Sequence, residues 1–516
     1  METRDIGRLI SARWWALLGA LGFEKERWEA LDPAARRAVK TAFWLVVGLI
    51  LVAVGGVWKS TALAAAAIVF ALVVTPWHRV PFGKWVVPGA VLALAVLYPK
   101  YLSDLFGLPI FGPAPQMDTM VVMMIFTMMA LGLNVVVGYA GLLDLGYVAF
   151  YAMGAYMSGW FASSQFATHR IHFGAVGITP SAPGFHFSIW LILVAAGIVT
   201  AVVGVIIGLP TLRLRGDYLA IVTLGFGEII PQIARNGDNL FGTGFNLTGG
   251  TQGLTPIDGP GFGTWLNDTI GLPDNYLNAP NQLNLFYWTA LVLVLFTVFC
   301  SIRLRESRLG RAWIAIREDE VAAAAMGVPL MRTKTWAYAT GAFFGGIAGA
   351  YYASYKSATF PDDFFFNISV FILCMIILGG MGNITGVIFG ACFLAYLDRE
   401  GLANVGAWTN GHFSETSFNT TEAAVFALAA LAAALLIHEL WLRVVAATAL
   451  GAIAVLIGVL QPTNLPLDVP LYEFGIFGVI LVVVMLFRPE GLIPSQRRRA
   501  EFQEGVHDQP LYDVSG

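Results

Sequence analysis

The stretch TMVVMMIFTMMALGLNVVVG, residues 119–138, contains no charged side chain. A helix needs about 20 mostly apolar residues to cross the hydrocarbon core of a bilayer, and this stretch has that length. Comparable apolar runs lie on either side of it, at residues 41–58, 61–75, 86–98, 146–163, 188–209, 217–234, 285–302, 336–353, 368–380, 384–397, 423–437, 442–460 and 472–487. Because several runs are shorter than a full crossing, the sequence predicts roughly 10–14 apolar segments in the membrane.

The composition points to the same class of protein. Of the 516 residues, 57% are hydrophobic and only 12% are charged, whereas a soluble domain carries about 25% charged residues. This composition excludes a water-soluble enzyme, a disordered chain and a nucleic-acid-binding protein. Since backbone groups in a bilayer must bond internally, we expect an all-α fold, a polytopic integral membrane helical bundle.

Basic residues predict the orientation of the chain. Lys and Arg cluster in the N-terminal tail, in the loop 303–334 and in the C-terminal tail, whereas residues 236–284 contain none. Cytoplasmic loops carry the excess of Lys and Arg, so both termini are predicted to be cytoplasmic. The polar loop 235–284 is then extracytoplasmic. It is interpreted as a connecting loop in preference to a docking surface for an external partner.

The sequence lacks the motifs of catalysis and nucleotide hydrolysis. No G-x-x-x-x-G-K-[ST] loop occurs, so we expect the chain to hydrolyse no nucleotide itself. His169 and His172 lack neighbouring ligand residues, and we predict no metal site and no cofactor. The three cysteines all lie in apolar runs, which argues against a disulfide framework.

Three polar residues within or beside the apolar runs are candidates for lining a transport pathway: Asn134, Asp144 and Glu228. Polar groups in membrane segments are costly and therefore often functional. The alternative for Asn134 is a polar contact between helices, and for Glu228 it is structural pairing or proximity to the membrane interface.

Glycines recur at four-residue steps in two late runs. One series is Gly341, Gly345 and Gly349, and the other is Gly382, Gly386 and Gly390. Residues four apart share one face of a helix, and small residues there let another backbone approach closely. Both series predict helix packing.

The loop ESRLGRAWIAIREDEVAAAAMGVPLMRTK, residues 306–334, is strongly charged. Its segment 317–326 has helix-forming composition, and Gly327 followed by Pro329 is a typical helix stop. We therefore predict a short helix outside the membrane. It is either an ordinary amphipathic connector or a helix that docks into a partner and transmits its motion.

Five segments resemble the LivM-type permease subunits of bacterial branched-chain amino-acid ABC importers. They are ALGLNVVVGYAGLLDLGYVAFYAMGAY (130–156), RGDYLAIVTLGFGEII (215–230), SRLGRAWIAIREDEVAAAAMGV (307–328), ILGGMGNITGVIFGA (377–391) and LFRPEGL (486–492). They follow one another in the order found in that family.

This resemblance implies a transport subunit in the bacterial inner membrane that is not itself an enzyme. Its partners would be a LivH-like second permease, two cytoplasmic ATPase subunits and a periplasmic substrate-binding protein, with lipid around the bundle. The predicted short helix would be the coupling helix to the ATPase. Its contact residues would be Arg317, Glu318, Asp319, Glu320, Ala323 and Gly327.

The resemblance also implies a division of the chain. Residues 119–398 would form the permease core, preceded by a cytoplasmic or interfacial segment and extra membrane helices in 1–118. Residues 399–471 would be an insertion with further apolar segments, and 472–516 the last helix and cytoplasmic tail. Three alternatives stay open: a related permease for urea or short amides, an ion-coupled carrier, and a membrane scaffold.

Overall fold

The computed structural model describes residues 115–166, 169–174, 182–214, 217–239, 245–261, 282–413, 472–487 and 491–493, and a few isolated positions between 89 and 113. The apolar runs predicted at 41–58, 61–75, 423–437 and 442–460, most of the run at 86–98, and parts of both predicted extra segments lie outside them. The chain divides into two compact units, Met1–Ala114 and Pro115–Gly516.

The first unit contributes one described pair of strands, β1 (Gly107–Leu108) and β2 (Gly112–Pro113). The second unit is mostly helical. Its helices are α1 (Met117–Asn134), α2 (Val148–Phe161), α3 (Ile189–Thr211), α4 (Asp217–Arg235), α5 (Gln282–Glu306), α6 (Arg308–Glu318), α7 (Glu320–Ala325), α8 (Leu330–Lys356), α9 (Phe366–Gly379), α10 (Ile384–Tyr396), α11 (Leu402–Phe413) and α12 (Glu473–Phe487).

Helix α1 is the central helix of this unit. A π-helical turn, Val135–Tyr139, extends it, and α5, α8 and α10 pack around it. Three helical stretches among the described residues are long and apolar enough to cross a membrane, Met117–Tyr139, Ile189–Thr211 and Leu283–Glu306, and their apolar windows are 89%, 39% and 50% buried. The apolar stretch 119–138 therefore lies in the interior of the bundle.

Helix α3 has one face packed against the bundle and an opposite face that is exposed. Ala196, Thr200 and Gly204 face the bundle, where Gly204 closely approaches Ala342 of α8. Apolar side chains at four-residue steps cover the opposite face and are exposed: Val194, Ile198, Val202 and Ile206. An exposed apolar stripe on a long apolar helix is the face expected to meet lipid.

Glycines let the backbones of α2 and α8 touch. A Cβ on Gly154 would lie 2.0 Å from the carbonyl oxygen of Gly346, and a Cβ on Gly349 would lie 1.9 Å from that of Tyr151. Gly341 and Gly345 of the same series lie against Val136 and Tyr147. The series thus lies along the face of α8 that meets α1 and α2.

The second glycine series differs from a continuous helical stripe. Gly386 and Gly390 belong to α10 and approach the backbone of α9, but Gly382 precedes α10, which begins at Ile384. Gly382 has φ +82° and Gly380 has φ +111°. These positive φ values interrupt the helix, so Gly382 lies in the turn between α9 and α10 and not on a helix face.

A small sheet lies between α2 and α3. It contains β3 (Ala162–Ser163), β4 (Arg170–Phe173) and β5 (Gly184–Phe187), and β5 pairs antiparallel with β3 and parallel with β4. The prediction of an all-α fold did not include these strands. They are two to four residues long, too short for a clear alternating pattern in the sequence.

One ionisable contact joins this sheet to the polar loop before α5. Nδ1 of the buried His186 lies 2.5 Å from Oδ2 of Asp258. Burial raises the pKa of Asp258, while the hydrogen bond with His186 acts in the opposite direction. The backbone carbonyl of Asp258 accepts a hydrogen bond of 2.7 Å from the Ser354 hydroxyl of α8, so the end of α8 and the loop are held together.

The close contact between α2 and α8 predicts the effect of Gly349→Ala. The new methyl group would clash with the Tyr151 carbonyl, and overpacking of this kind costs about 1–3 kcal/mol. We expect a lower midpoint of thermal unfolding for the purified chain in detergent. The matched control is Gly225→Ala in α4, where a Cβ has no neighbour within 4 Å. Equal midpoints for both variants would contradict the close packing of α2 against α8 at Gly349.

Candidate coupling site

The predicted single helix 317–326 is two helices in the structure. Helix α6 ends at Glu318 and α7 begins at Glu320. Between them, the extended Asp319 accepts hydrogen bonds from the backbone N–H groups of Val321 and Ala322 at 2.8 and 2.9 Å. An aspartate that accepts from the first turn in this way is a strong helix N-cap, which explains why the helix is interrupted there.

A tryptophan anchors α6 to α8. The Trp313 side chain is fully buried, and its Nε1 donates a hydrogen bond of 2.8 Å to the carbonyl oxygen of Thr333. Sequence reasoning did not single out Trp313. A large aromatic residue in a charged loop was the available signal, since such a side chain is costly to leave in water.

An ion pair anchors α7 to the same end of α8. Lys334 Nζ lies 2.8 Å from Glu320 Oε1, and the two side chains are 5% and 27% exposed. A buried ammonium group needs a partner of opposite charge. Glu320 therefore has an internal structural contact, and Lys334 is a second residue that the sequence interpretation did not select.

Arg317 connects the end of α6 to α1. Its Nη1 donates a hydrogen bond of 2.6 Å to the carbonyl oxygen of Gly138, in the π-helical turn. The side chain runs over Gly141, where a Cβ would lie 2.7 Å from the Arg317 Cγ. Arg317 is therefore turned inward, toward the long apolar helices.

Asn134, one turn before Gly138, connects α1 to the turn that precedes α10. Its buried Oδ1 accepts a hydrogen bond of 2.9 Å from the backbone N–H of Gly382. A Cβ on Gly138 would lie 2.0 Å from this oxygen. The sequence assigned Arg317, Asn134 and Gly382 to three separate roles, and the structure brings all three together around Gly138.

The other two pathway candidates lie elsewhere. Asp144 is buried, and its Oδ1 accepts a hydrogen bond of 2.9 Å from the N–H of Gly146. Glu228 is exposed on α4, on the same side as the exposed Ile221 and Ile229. Among the described residues, no group of three His, Cys, Asp or Glu side chains is arranged to hold a metal.

The outer surface of α7 is exposed and partly apolar. Val321 is 69% exposed and Met326 is 86% exposed, whereas Ala323 is buried against the rest of the protein. Glu318 and Asp319 are also exposed. Gly327 ends the segment with φ +85°, a conformation that favours glycine. The segment thus has an anchored inner side and a free outer side.

The inward contact of Arg317 predicts that Arg317→Gln destabilises the chain. The change removes a charged donor from the Gly138 carbonyl, a loss of about 1–3 kcal/mol. We expect a lower midpoint of thermal unfolding in detergent. Arg311→Gln is the control, because Arg311 on the same helix also donates to a backbone carbonyl, that of Glu306, but at an exposed site. An unchanged midpoint for Arg317→Gln would show that the Arg317–Gly138 hydrogen bond does not stabilise the protein.

Comparison with known proteins identifies the family of this chain. Residues 117–414 match the family described as branched-chain amino acid transport system / permease component. The chain is 38% identical over 321 residues to the high-affinity branched-chain amino acid transport system permease protein LivM of Escherichia coli (strain K12), a match that covers 60% of this chain and 67% of that protein.

More distant relatives include permease proteins named LivM and permease proteins named LivH. The probable branched-chain amino acid transport permease protein LivM of Methanocaldococcus jannaschii is 23% identical, over 72% of this chain and 91% of its own. The permease protein LivH of Salmonella typhimurium is 24% identical, over 53% of this chain and 83% of its own. No solved structure matches the chain. The family match, which spans more than half of the residues, and the LivM likeness show that this chain belongs to the permease component family of branched-chain amino acid transport systems.

Proposed function

We propose that this chain is the LivM-type membrane permease subunit of an ATP-binding-cassette importer, and that it translocates branched-chain or other hydrophobic amino acids. The relatives' names supply the substrate class. The observation that carries the coupling role is the α6–α7 segment. It lies outside the long apolar helices, yet Arg317 ties it to α1 and Glu320 ties it to α8.

The outer side of α7 is suited to meeting an ATPase subunit. Val321 and Met326 are exposed apolar side chains at the two ends of the short helix α7, and exposed apolar groups often mark a protein contact. Glu318 and Asp319 provide charges beside them. Ala323 lets α7 lie close to the protein, and Gly327 turns the chain into α8.

Movement of α7 would reach the centre of the bundle by two routes. The Glu320–Lys334 pair transmits it to the start of α8, and the Arg317–Gly138 bond transmits it to the end of α1. Asn134 then links α1 to Gly382 in the turn before α10. In this mechanism Asn134 holds helices together and does not contact the solute.

The ATPase activity belongs to partners in this proposal, because the sequence has no phosphate-binding loop. Two cytoplasmic ATPase subunits would bind below the bundle, and a periplasmic binding protein would deliver the amino acid from above. Both termini would be cytoplasmic, in the inner membrane. The chain itself would need no cofactor.

The exposed face of α4 is the surface proposed to meet the LivH-like permease and the pathway. Glu228 lies 11 positions after Asp217, where α4 begins, so it is about 16 Å along the helix axis. A carboxylate exposed to lipid at that depth is costly. We therefore place Glu228 toward the second permease, and Asp144 near the buried face of α4, where Leu145 N–H donates to Thr223.

Met326→Glu tests the docking of α7. A charge on the exposed apolar side chain would cost the desolvation of a carboxylate on docking, so we expect the variant to insert in the membrane but lose co-purification of the ATPase and amino-acid uptake. The control is Phe245→Glu, a half-exposed apolar position in the polar loop before α5, which should retain the ATPase.

Two results would contradict the proposal. One is full ATPase binding and uptake by Met326→Glu. The other is accumulation of leucine against its gradient by vesicles that contain this chain without any ATPase, which would instead indicate an ion-coupled carrier.

A further inference from the structure

A cavity of about 430 Å³ opens at the end of the bundle opposite the coupling helices. It lies where α1 and α5 begin, where α8 ends, and beside the π-helical turn Leu397–Gly401 that follows α10. Its volume falls in the range of roughly 300–1,000 Å³ that is typical of small-molecule sites. None of its lining residues takes part in the coupling site described above.

The lining of this cavity carries charges of both signs. Asp118 comes from the first turn of α1, whereas Lys356 comes from the end of α8 and Arg399 from the turn after α10. The Tyr355 hydroxyl donates a hydrogen bond to Asp118 Oδ1 and so orients that carboxylate. The cavity therefore presents one anchored anion and two cations on different elements.

Two neighbouring acids already have partners. Lys356 Nζ lies 2.5 Å from Asp363 Oδ1. Glu400 accepts hydrogen bonds from the backbone N–H of Gln116, at 2.8 Å, and from the Thr119 hydroxyl. Asp118, Asp363 and Glu400 together exceed Lys356 and Arg399 by one negative charge, and groups of both signs lie on different elements. Such a site offers a partner to each charged end of a zwitterion and disfavours a simple anion.

An apolar wall lies beside these charges. It is formed by Leu283 and the buried Phe286, from the first turns of α5. The Phe286 ring packs edge-on against Tyr355 at 5.5 Å between centroids, and its backbone carbonyl accepts a hydrogen bond from Tyr351. The wall is thus held in place before any ligand arrives, which lowers the cost of binding.

We propose that this cavity binds a free hydrophobic α-amino acid. Arg399 and Lys356 bind its carboxylate, Asp118 binds its ammonium group, and its side chain packs on Leu283 and Phe286. Charge-assisted hydrogen bonds of this kind are the stronger ones in proteins. This inference rests on the proposed transport function, for which it names a substrate-binding site.

The test uses photo-leucine, the diazirine analogue of leucine, on the complete transporter in lipid nanodiscs. We expect light-induced labelling of peptides that contain residues 283–286 or 352–356, and competition by leucine. Isopentylamine lacks the carboxylate and 4-methylpentanoate lacks the ammonium group, so neither should compete at equal concentration. This part of the test requires no variant.

Variants then test the charges. Arg399→Gln and Asp118→Asn should each reduce labelling about tenfold, the effect of losing one charge-assisted hydrogen bond. The control is Arg235→Gln, which changes a cation paired with Asp362 outside the cavity. Labelling that resists leucine, or that both analogues block equally well, would overturn the inference.

Uptake measured on the same complete transporter in closed lipid vesicles separates this inference from the proposed function. If the wild-type transporter accumulates leucine but the cavity is not labelled, the site is wrong and the function stands. If the wild-type transporter accumulates no amino acid although its ATPase is active, the proposed function is wrong.

Discussion

The Arg317 hydrogen bond to the Gly138 carbonyl is the contact on which the proposed coupling mechanism depends. It requires a guanidinium group at the end of α6 and a backbone oxygen presented by the π-helical turn that ends α1. It also requires small residues, because a Cβ on Gly141 would clash with the Arg317 side chain. Since a charged donor is used in a partly buried place, the bond is stronger than an ordinary surface contact.

Close packing at glycines would let a displacement at this contact pass to the neighbouring helices. Gly154 and Gly349 bring the α2 and α8 backbones to a separation that no larger residue allows. A densely packed interior transmits displacement and does not absorb it. In the proposed mechanism, a push on α7 moves α8 and α1 as a unit, through the Glu320–Lys334 pair at one contact and Arg317 at the other.

Much of the helical architecture is predictable from hydrophobic runs alone. The run 119–138 corresponds to Met117–Tyr139, and the run 384–397 to Ile384–Tyr396, because both are long enough to show their composition clearly. The break at Asp319 was missed, since the helix propensity of the alanines after it outweighed a local capping signal.

Sequence patterns did not predict the contacts between residues that are far apart in the chain. Asn134 and Gly382 are 248 positions apart and meet only after α9 and α10 pack on α1. The same reason explains why Trp313 and Lys334 were not selected as anchors. The cavity likewise combines Asp118 and Arg399, which are far apart in the sequence.

The most direct test of rigid coupling is a distance between spin labels in the assembled transporter. One label replaces the exposed Ala324 on α7, and the other replaces the exposed Ser357, immediately after α8. The native residues Cys300, Cys374 and Cys392 are changed to Ser beforehand. We predict the same distance distribution with and without ATP, because α7 and α8 move together. A distribution that shifts when ATP binds would contradict the account.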